Sequence, residues 1–303
     1  MSTVTTEAAL REVADGVYAH VQSDGSWWIN NSGLIVDGGD AVVIDTCATR
    51  ARAEAFRARI DELGAPAPSR VVNTHAHGDH TYGNAVFPEA TIIAHEGCRA
   101  AMLADPVRWS SLRESWAPTP EWSDLELRLP TVTITQPITL WCGEREVIVR
   151  PVGRVAHTDH DLVVELDEVA FVGDLLFSGG TPLFVSGSIA GYLRVLPYLR
   201  SLAPRLLVSG HGEPCGQDEV DAHERYVRMV LDAAAAGLSD GLPPLEVARA
   251  LDLGEFAERY DSERVVLNMH RAYADLDESR PFDIHRAFAD AMEYNGGPLR
   301  TGV

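Results

Sequence analysis

The 303-residue chain has no lysine, and all 25 of its basic side chains are arginines. Schiff-base chemistry and a Walker-type phosphate loop each require a lysine, so both are excluded. Cysteine is scarce: Cys47, Cys98, Cys142 and Cys215 are widely scattered with no CxxC pair, which points to reduced, mostly structural thiols. Cys215 alone falls close to a candidate ligand, four residues after His211. Positive charge is also short. A net charge of −20 and a pI near 4.8 leave no basic footprint for a nucleic-acid backbone, so no nucleic-acid partner is expected. No uninterrupted apolar run reaches the roughly 18 residues that a membrane span needs, so no membrane association is expected. The stretch Met1 to Ala14 carries Glu7, Arg11 and Glu12 and lacks the apolar region of a signal peptide. A soluble cytoplasmic protein is the expectation.

What is present begins with an apolar fraction of 46%, enough for a sizeable core, in a chain long for one domain and short for three. We therefore expect a catalytic domain over 1–216 and a C-terminal helical extension over 217–303. The most informative stretch is Val71 to His80, Val-Val-Asn-Thr-His-Ala-His-Gly-Asp-His. Side chains at i and i+2 of an extended segment point the same way, so His75 and His77 can converge on one ion. Gly78 would let the chain turn and bring Asp79 and His80 toward a second position. Imidazole nitrogen and carboxylate oxygen are accepted zinc ligands, and four of them in one loop are hard to explain by packing.

Along the chain, Val17–Val21, Gly33–Val36 and Ala41–Ile44 read as strands, with Asp37-Gly38-Gly39-Asp40 as a hairpin turn. Arg50 to Leu63 has helical spacing, and Val71-Val72 is the strand that delivers the histidine loop. The series recurs. Leu162–Leu166, a turn at Asp167-Glu168 and Val169–Val172 form a second hairpin, ending at Asp174 as the first ends at Asp45. A helical segment, Ile189 to Leu202, and the strand Leu206–Val208 then lead to Ser209-Gly210-His211-Gly212. Two similar halves packed face to face are expected, with the metal site between their strand ends. Ala94 to Trp116 looks helical. The tail suggests four helices, near 220–236, 244–250, 262–276 and 284–294, able to shape a pocket or a homodimer contact.

His157, after the strand Val147–Val149, and Asp174 and His211 each sit at the carboxyl end of a predicted strand, where ligands gather in layered α/β folds. The ordered set HxHxDH, His, Asp and GHG resembles the metallo-β-lactamase superfamily over roughly Val13 to Gly216. That resemblance implies a four-layer αββα sandwich. It also implies one zinc on His75, His77 and His157, a second on Asp79, His80 and His211, and Asp174 bridging both. Iron or manganese in place of the two Zn2+ remains open. Asp45 matches an aspartate that supports the metal loop in the family. Ala156-His157-Thr158-Asp159-His160-Asp161, Thr181-Pro182, Gly187-Ser188 and the helical tail are similar to the cyclase and thioesterase-like enzymes of bacterial aromatic polyketide biosynthesis.

The resemblance implies a water ionised near pH 7, an acyl carbon attacked by it, and Asp79 as the catalytic residue that orients the water and takes its proton. A thioester suits a site with no evident general acid, because a thiolate leaves unaided. Trp27, Trp28, Trp109 and Trp116, with Trp122, are candidate substrate walls, and His160 a candidate substrate contact. An acyl carrier protein is a possible partner, docked by Arg99, Arg108 and Arg113 or by Arg145, Arg150 and Arg154. A glyoxalase-type thioesterase or lactonase shares the ligand set. A β-lactamase, an iron-dependent oxidoreductase and a non-enzymatic binding protein fit less well. His20, His95, His223, His270 and His285 stand alone and read as structural or surface residues.

Overall fold

The computed structural model describes residues 8–22, 25–104, 110–122, 126–203 and 205–303. Its first half is built from β1 (Ala9–Ala14), β2 (Val17–Val21), β3 (Ser32–Asp37), β4 (Asp40–Ile44), α1 (Arg50–Glu62), β5 (Arg70–Val72) and the single-turn α2 (Gly78–Thr81). Then come β6 (Thr91–His95), α3 (Glu96–Ala104), a 3-10 turn at Ser110–Ser115, β7 (Trp116–Ala117) and β8 (Val132–Ile134). The second half has β9 (Ile138–Cys142), β10 (Arg145–Pro151), β11 (Leu162–Leu166), β12 (Val169–Phe177), α4 (Ile189–Tyr192), α5 (Leu196–Ser201) and β13 (Leu206–His211). The tail supplies α6 (Gln217–Asp240), α7 (Pro244–Ala250), α8 (Arg264–Leu276), α9 (Ile284–Asn295) and the short β14 (Leu299–Arg300).

A seven-stranded sheet in the order β1-β2-β3-β4-β5-β6-β8 faces a five-stranded sheet in the order β13-β12-β11-β10-β9. Alternation along the strands decides which side chains meet where. Val42 and Ile44 of β4 join Val169 and Phe171 of β12 in the core between the sheets. Ala41 and Val43 face outward onto Ala53, Phe56 and Ile60 of α1. Ala170 and Val172 face outward onto the helices of the second half and the tail. The result is the αββα sandwich expected from the sequence. Helices α6, α8 and α9 share one apolar cluster with β12, so the tail packs as part of the outer helical layer.

The internal repeat is visible in the pairing. β4 runs parallel to β5 after α1, with Val43 opposite Val71, and β12 runs parallel to β13 after α4 and α5, with Phe171 opposite Val208. Three local expectations need correction. The segment expected to be helical from Ala94 opens as the end of β6, because Ile92, Ile93 and Ala94 are fully or nearly buried in a parallel strand beside β5. A short apolar run buried on both faces cannot be told from a buried helix by periodicity. The helix expected over 189–202 is two short pieces with a break at 193–195. Asp174 lies inside β12, whose ladder to β13 is irregular between Phe171 and Gly173 and again between Gly173 and Phe177.

Candidate metal centre

Strand β5 ends at Val72, and the chain then crosses the sheet edge as an irregular loop carrying His75 and His77 before turning into α2 with Asp79 and His80. Gly78 acts there by size and not by a sharp turn. A Cβ on it would lie 2.2 Å from the Tyr82 ring, and its φ is not in the left-handed region. From the other half, β12 contributes Asp174, the loop before β11 contributes His157, and β13 ends on His211.

All seven expected ligands converge. His75, His77, His157 and Asp174 form one buried group whose ligand atoms lie within 4.8 Å of one another, and Asp79, His80 and His211 form a second. The Asp174 carboxylate sits between them. Its Oδ2 is 3.2 Å from His157 Nε2 and 3.7 Å from His75 Nε2, while its Oδ1 is 3.1 Å from His80 Nε2 and 3.5 Å from His211 Nε2. Asp79 Oδ2 is 3.2 Å from His211 Nε2.

The donor chemistry fits a cation. Each imidazole is fixed through the nitrogen facing away from the cluster: His75 Nδ1 on Thr74 Oγ1 at 3.1 Å, His77 Nε2 on Ser186 Oγ at 2.9 Å, His80 Nδ1 on Asp45 Oδ2 at 2.8 Å. His157 Nδ1 donates to Leu183 O at 2.7 Å and His211 Nδ1 to Gly25 O at 3.0 Å. Those outer bonds orient the rings so that the inner nitrogens point into the cluster, the arrangement that metal ligation needs. His77 Nδ1 and His157 Nε2 then face each other at 2.9 Å. His75 Nε2, His80 Nε2 and Asp174 Oδ1 are buried and make no hydrogen bond with the described residues.

Electrostatics points the same way. Burial lowers the His157 pKa to about 4 despite the Asp174 charge, and it drives His75 well below the usual imidazole range. Burial also works against a proton on His211 and His80, but the carboxylates outweigh it: Asp174 and Asp79 raise His211 to about 9, and Asp174, Asp45 and Asp79 raise His80 well above its ordinary value. A cation loading the second group must displace those protons, so affinity for it falls in acid.

Asp45 governs the cluster from outside. It has φ 55, and its carboxylate accepts from Thr74 N and Thr74 Oγ1, both at 2.7 Å, as well as from His80. Gly210 keeps Asp174 in place by having no side chain, since a Cβ there would fall 1.9 Å from Asp174 Oδ1.

A half-open pocket with about 30 Å³ of free space adjoins the ligands, lined by Trp27, Trp28, Trp116, Phe177, Leu183 and Arg264 together with His77, Asp79, Asp174 and His211. Trp27, Trp28 and Trp116, expected as substrate walls, all line this pocket, packed edge to face at 5.6 and 5.3 Å. Trp122 stands behind Trp28 at 4.8 Å and does not line the cavity. Trp109 and Arg108 lie outside the described residues. His160 is placed elsewhere: its Nδ1 bonds Asp159 Oδ1 at 2.6 Å, and its Cβ packs where a side chain on Gly97 would come within 2.9 Å. Cys215 belongs to neither ligand group, and its backbone pairs with Leu207. Of the arginines suggested for docking, Arg99 donates to Pro130 O, Arg145 to Asp15 O and Arg150 to Glu165.

Sequence reasoning missed Phe177, Leu183, Ser186 and Arg264. Phe177, stacked on His211 at 4.9 Å, could have been found by extending the second strand past Asp174. Arg264 gave no signal, because it opens an amphipathic helix where a surface arginine is the ordinary reading.

A two-sheet sandwich holding five imidazoles and two carboxylates at its strand ends is the frame of a metal-dependent hydrolase. A family model described as the metallo-beta-lactamase superfamily matches residues 25–211, well over half of the chain. The chain belongs to that superfamily and is a metallo-hydrolase of it. Its solved structural neighbours include a metallo-beta-lactamase from Pontibacter korlensis, at 17% identity and a TM-score of 0.60, covering 73% of this chain and 99% of that one. Another, from Erythrobacter litoralis with beta-mercaptoethanol in its active site, has 19% identity and a TM-score of 0.58, covering 74% and 97%. FIM-1 from Pseudomonas aeruginosa, in a mono-zinc form, has 16% identity and a TM-score of 0.58, covering 73% and 95%. At these identities the neighbours establish the fold. No helix among the described residues is long and apolar enough to cross a membrane.

Proposed function

We propose that the protein is an acyl-thioester hydrolase with two zinc ions, acting on aromatic or β-keto acyl groups of the polyketide type, with ring closure as a companion reaction. The observation that carries this reading is the lining of the cavity. Among the described residues its only ionisable side chains are metal-ligand candidates and Arg264, and the rest is aromatic or aliphatic. An amine or alkoxide leaving group needs a proton donor. A thiolate, with a free pKa near about 8.5, does not.

Bound metal would supply a Lewis acid for the acyl oxygen and an ionised water at neutral pH. His75, His77 and His157 would hold one ion, Asp79, His80 and His211 the other, and the Asp174 carboxylate would serve both. Asp79 is buried, lines the cavity and stays ionised: burial opposes the charge, and His80 and His211 outweigh that effect. Its carboxylate orients the attacking water, accepts its proton and releases that proton to solvent. The C–S bond breaks, and the thiolate leaves to be protonated by solvent. Trp27, Trp28 and Trp116 exclude bulk water and offer ring faces to a planar acyl group.

The test offers zinc-loaded protein an aromatic acyl thioester of a small thiol, the matching oxygen ester, a lactone and a β-lactam in parallel. Release of thiol faster than hydrolysis of the other three, lost in Asp79→Asn, is the expected result. Turnover of the lactone or β-lactam without the thioester would overturn the reading.

A further inference from the structure

The tail carries a buried cation into the metal pocket. Arg264, the first residue of α8, is 1% exposed and lines the cavity with Asp79, Asp174 and His211. Its guanidinium carbon stands 4.2 Å from the centre of the Trp27 ring and 5.2 Å from that of Phe177. Phe177 in turn stacks on His211, so one phenyl ring separates the guanidinium from a ligand of the second group.

The surroundings hold this side chain firmly and leave one of its donors, Nε–H, without an acceptor among the described residues. Nη1 donates to Thr181 O at 3.0 Å, and Nη2 lies 2.7 Å from Asp261 Oδ2. Asp261 is set for that contact by a positive φ of 53. Glu263, next to it, accepts from Trp27 Nε1 at 2.7 Å, which fixes the ring on which the guanidinium lies. A guanidinium has five N–H donors, and the buried Nε has no acceptor among the described residues. A buried ion pair whose guanidinium keeps an unused Nε–H is costly as a purely structural device, and apolar residues would fill the same space at lower cost. Arg264 is also the only cationic side chain other than histidine among the described residues lining the cavity.

We propose that Arg264 is a specificity-determining residue that binds a carboxylate on the substrate, so that the preferred acyl group carries an anionic substituent about one aromatic ring away from the carbon attacked. Planar guanidinium and carboxylate pair through two parallel hydrogen bonds, and the flanking Trp27 and Phe177 rings exclude the water that would weaken them. This deepens the acyl-hydrolase reading and relies on it for the position of the reacting carbon.

Two measurements separate the claims. Binding of terephthalate and of benzoate to zinc-loaded protein is followed by tryptophan fluorescence, since Trp27 lies against the guanidinium. The second carboxylate should tighten binding tenfold or more in the wild type, and Arg264→Gln should erase the difference. Turnover is then compared for 4-carboxybenzoyl and 4-methylbenzoyl thioesters. The carboxylate should raise kcat/KM in the wild type, chiefly through KM, and Arg264→Gln should lose that advantage while still cleaving the methyl analogue. Equal binding of the two acids by the wild type overturns the inference, whatever the variant does. Retention of the terephthalate preference by a folded Arg264→Gln also overturns it. If Arg264→Gln does not fold, Arg264→Lys keeps the charge without the planar fork, and an undiminished preference in it refutes paired recognition. Cleavage of neither thioester, with the terephthalate preference intact, defeats the thioesterase reading and leaves the carboxylate site standing.

Discussion

Replacing Asp45 by asparagine should weaken metal binding without touching a ligand. One oxygen of Asp45, Oδ2, accepts from both Thr74 Oγ1 and His80 Nδ1, and Thr74 Oγ1 in turn holds His75 Nδ1. The other oxygen accepts from Thr74 N. An amide can supply only one of these two faces as an acceptor. If its oxygen stays on Thr74 N, its NH2 group confronts two donors, and His80 must shift its remaining proton to Nε2. That atom faces Asp174 Oδ1 at 3.1 Å, where a cation would lie. If the amide flips, the NH2 group meets Thr74 N–H and the loop carrying His75 is pushed away. Loss of an outer partner of a ligating histidine typically costs 10–100-fold in metal affinity, about 1.4–2.8 kcal/mol. The ion on Asp79, His80 and His211 should suffer most, and the ion on His75, His77 and His157 less, because Thr74 can still turn its hydroxyl. Zinc titration against a chromophoric chelator, with stoichiometry by elemental analysis, reads both sites. Thr74→Val should reverse the order and loosen chiefly the site that contains His75. Wild-type affinity at both sites in a folded Asp45→Asn protein would refute this account of how the cluster is held.

Gly210→Ala should abolish metal binding at both groups, because the new methyl group occupies the position of Asp174 Oδ1, and metal content after purification checks it. Two bound ions per chain in that variant would show that β12 and β13 can separate at no cost to the site. A third prediction concerns acid stability. Burial, helped by Arg52 and Arg59, lowers the pKa of His20 from 6.5 to about 4. The folded protein therefore keeps His20 neutral while the unfolded chain takes up a proton, so the stability it lends is complete above about pH 6.5 and is lost as pH falls toward 4. The loss should approach about 2 to 3 kcal/mol near pH 4.5. His20→Phe, which keeps the stack on Phe56 at 4.4 Å, should flatten that part of the profile in urea unfolding at pH 7.5 and 4.5. An unchanged pH dependence would mean that His20 finds a partner when protonated.

Most of the ligands could be read from the sequence because they follow short apolar strand patterns in the chain, although Asp174 proves to lie inside its strand. His75, His77, Asp79 and His80 follow directly on a short β-branched run, and Asp174 and His211 sit at matching points of the repeated hairpin, helix and strand. Local pattern carries no information where position depends on packing between distant segments. Periodicity could not reveal that Gly78 makes room for Tyr82 or that His160 turns toward α3. Asp45 and Asp174 occupy equivalent places in the two halves, yet one accepts hydrogen bonds behind the site and the other stands inside it. The difference lies in β12, which continues to Phe177 through an irregular ladder, whereas β4 stops at Ile44.

That asymmetry also explains why the tail belongs to the site. The longer β12 carries Phe177 and the turn after it past the sheet edge, where they need support that the sandwich does not supply. The tail supplies it. Arg259 donates to Gly180 O and pairs with Glu219, Thr181 N donates to Tyr260 O, and Arg264 donates to Thr181 O. Beyond the helices, β14 pairs with β7, and Thr301 Oγ1 donates to Trp27 O, so the chain end braces two tryptophans of the cavity. The segment matched by the family model ends at His211 and contains every candidate ligand. The bracing of the wall opposite those ligands comes from residues after it. On the function proposed above, the tail adds Arg264 and the braces of Trp27 and Phe177 to a pocket whose ligands lie within the matched segment, so substitutions in the tail should change which acyl group is taken before they change whether water can attack it.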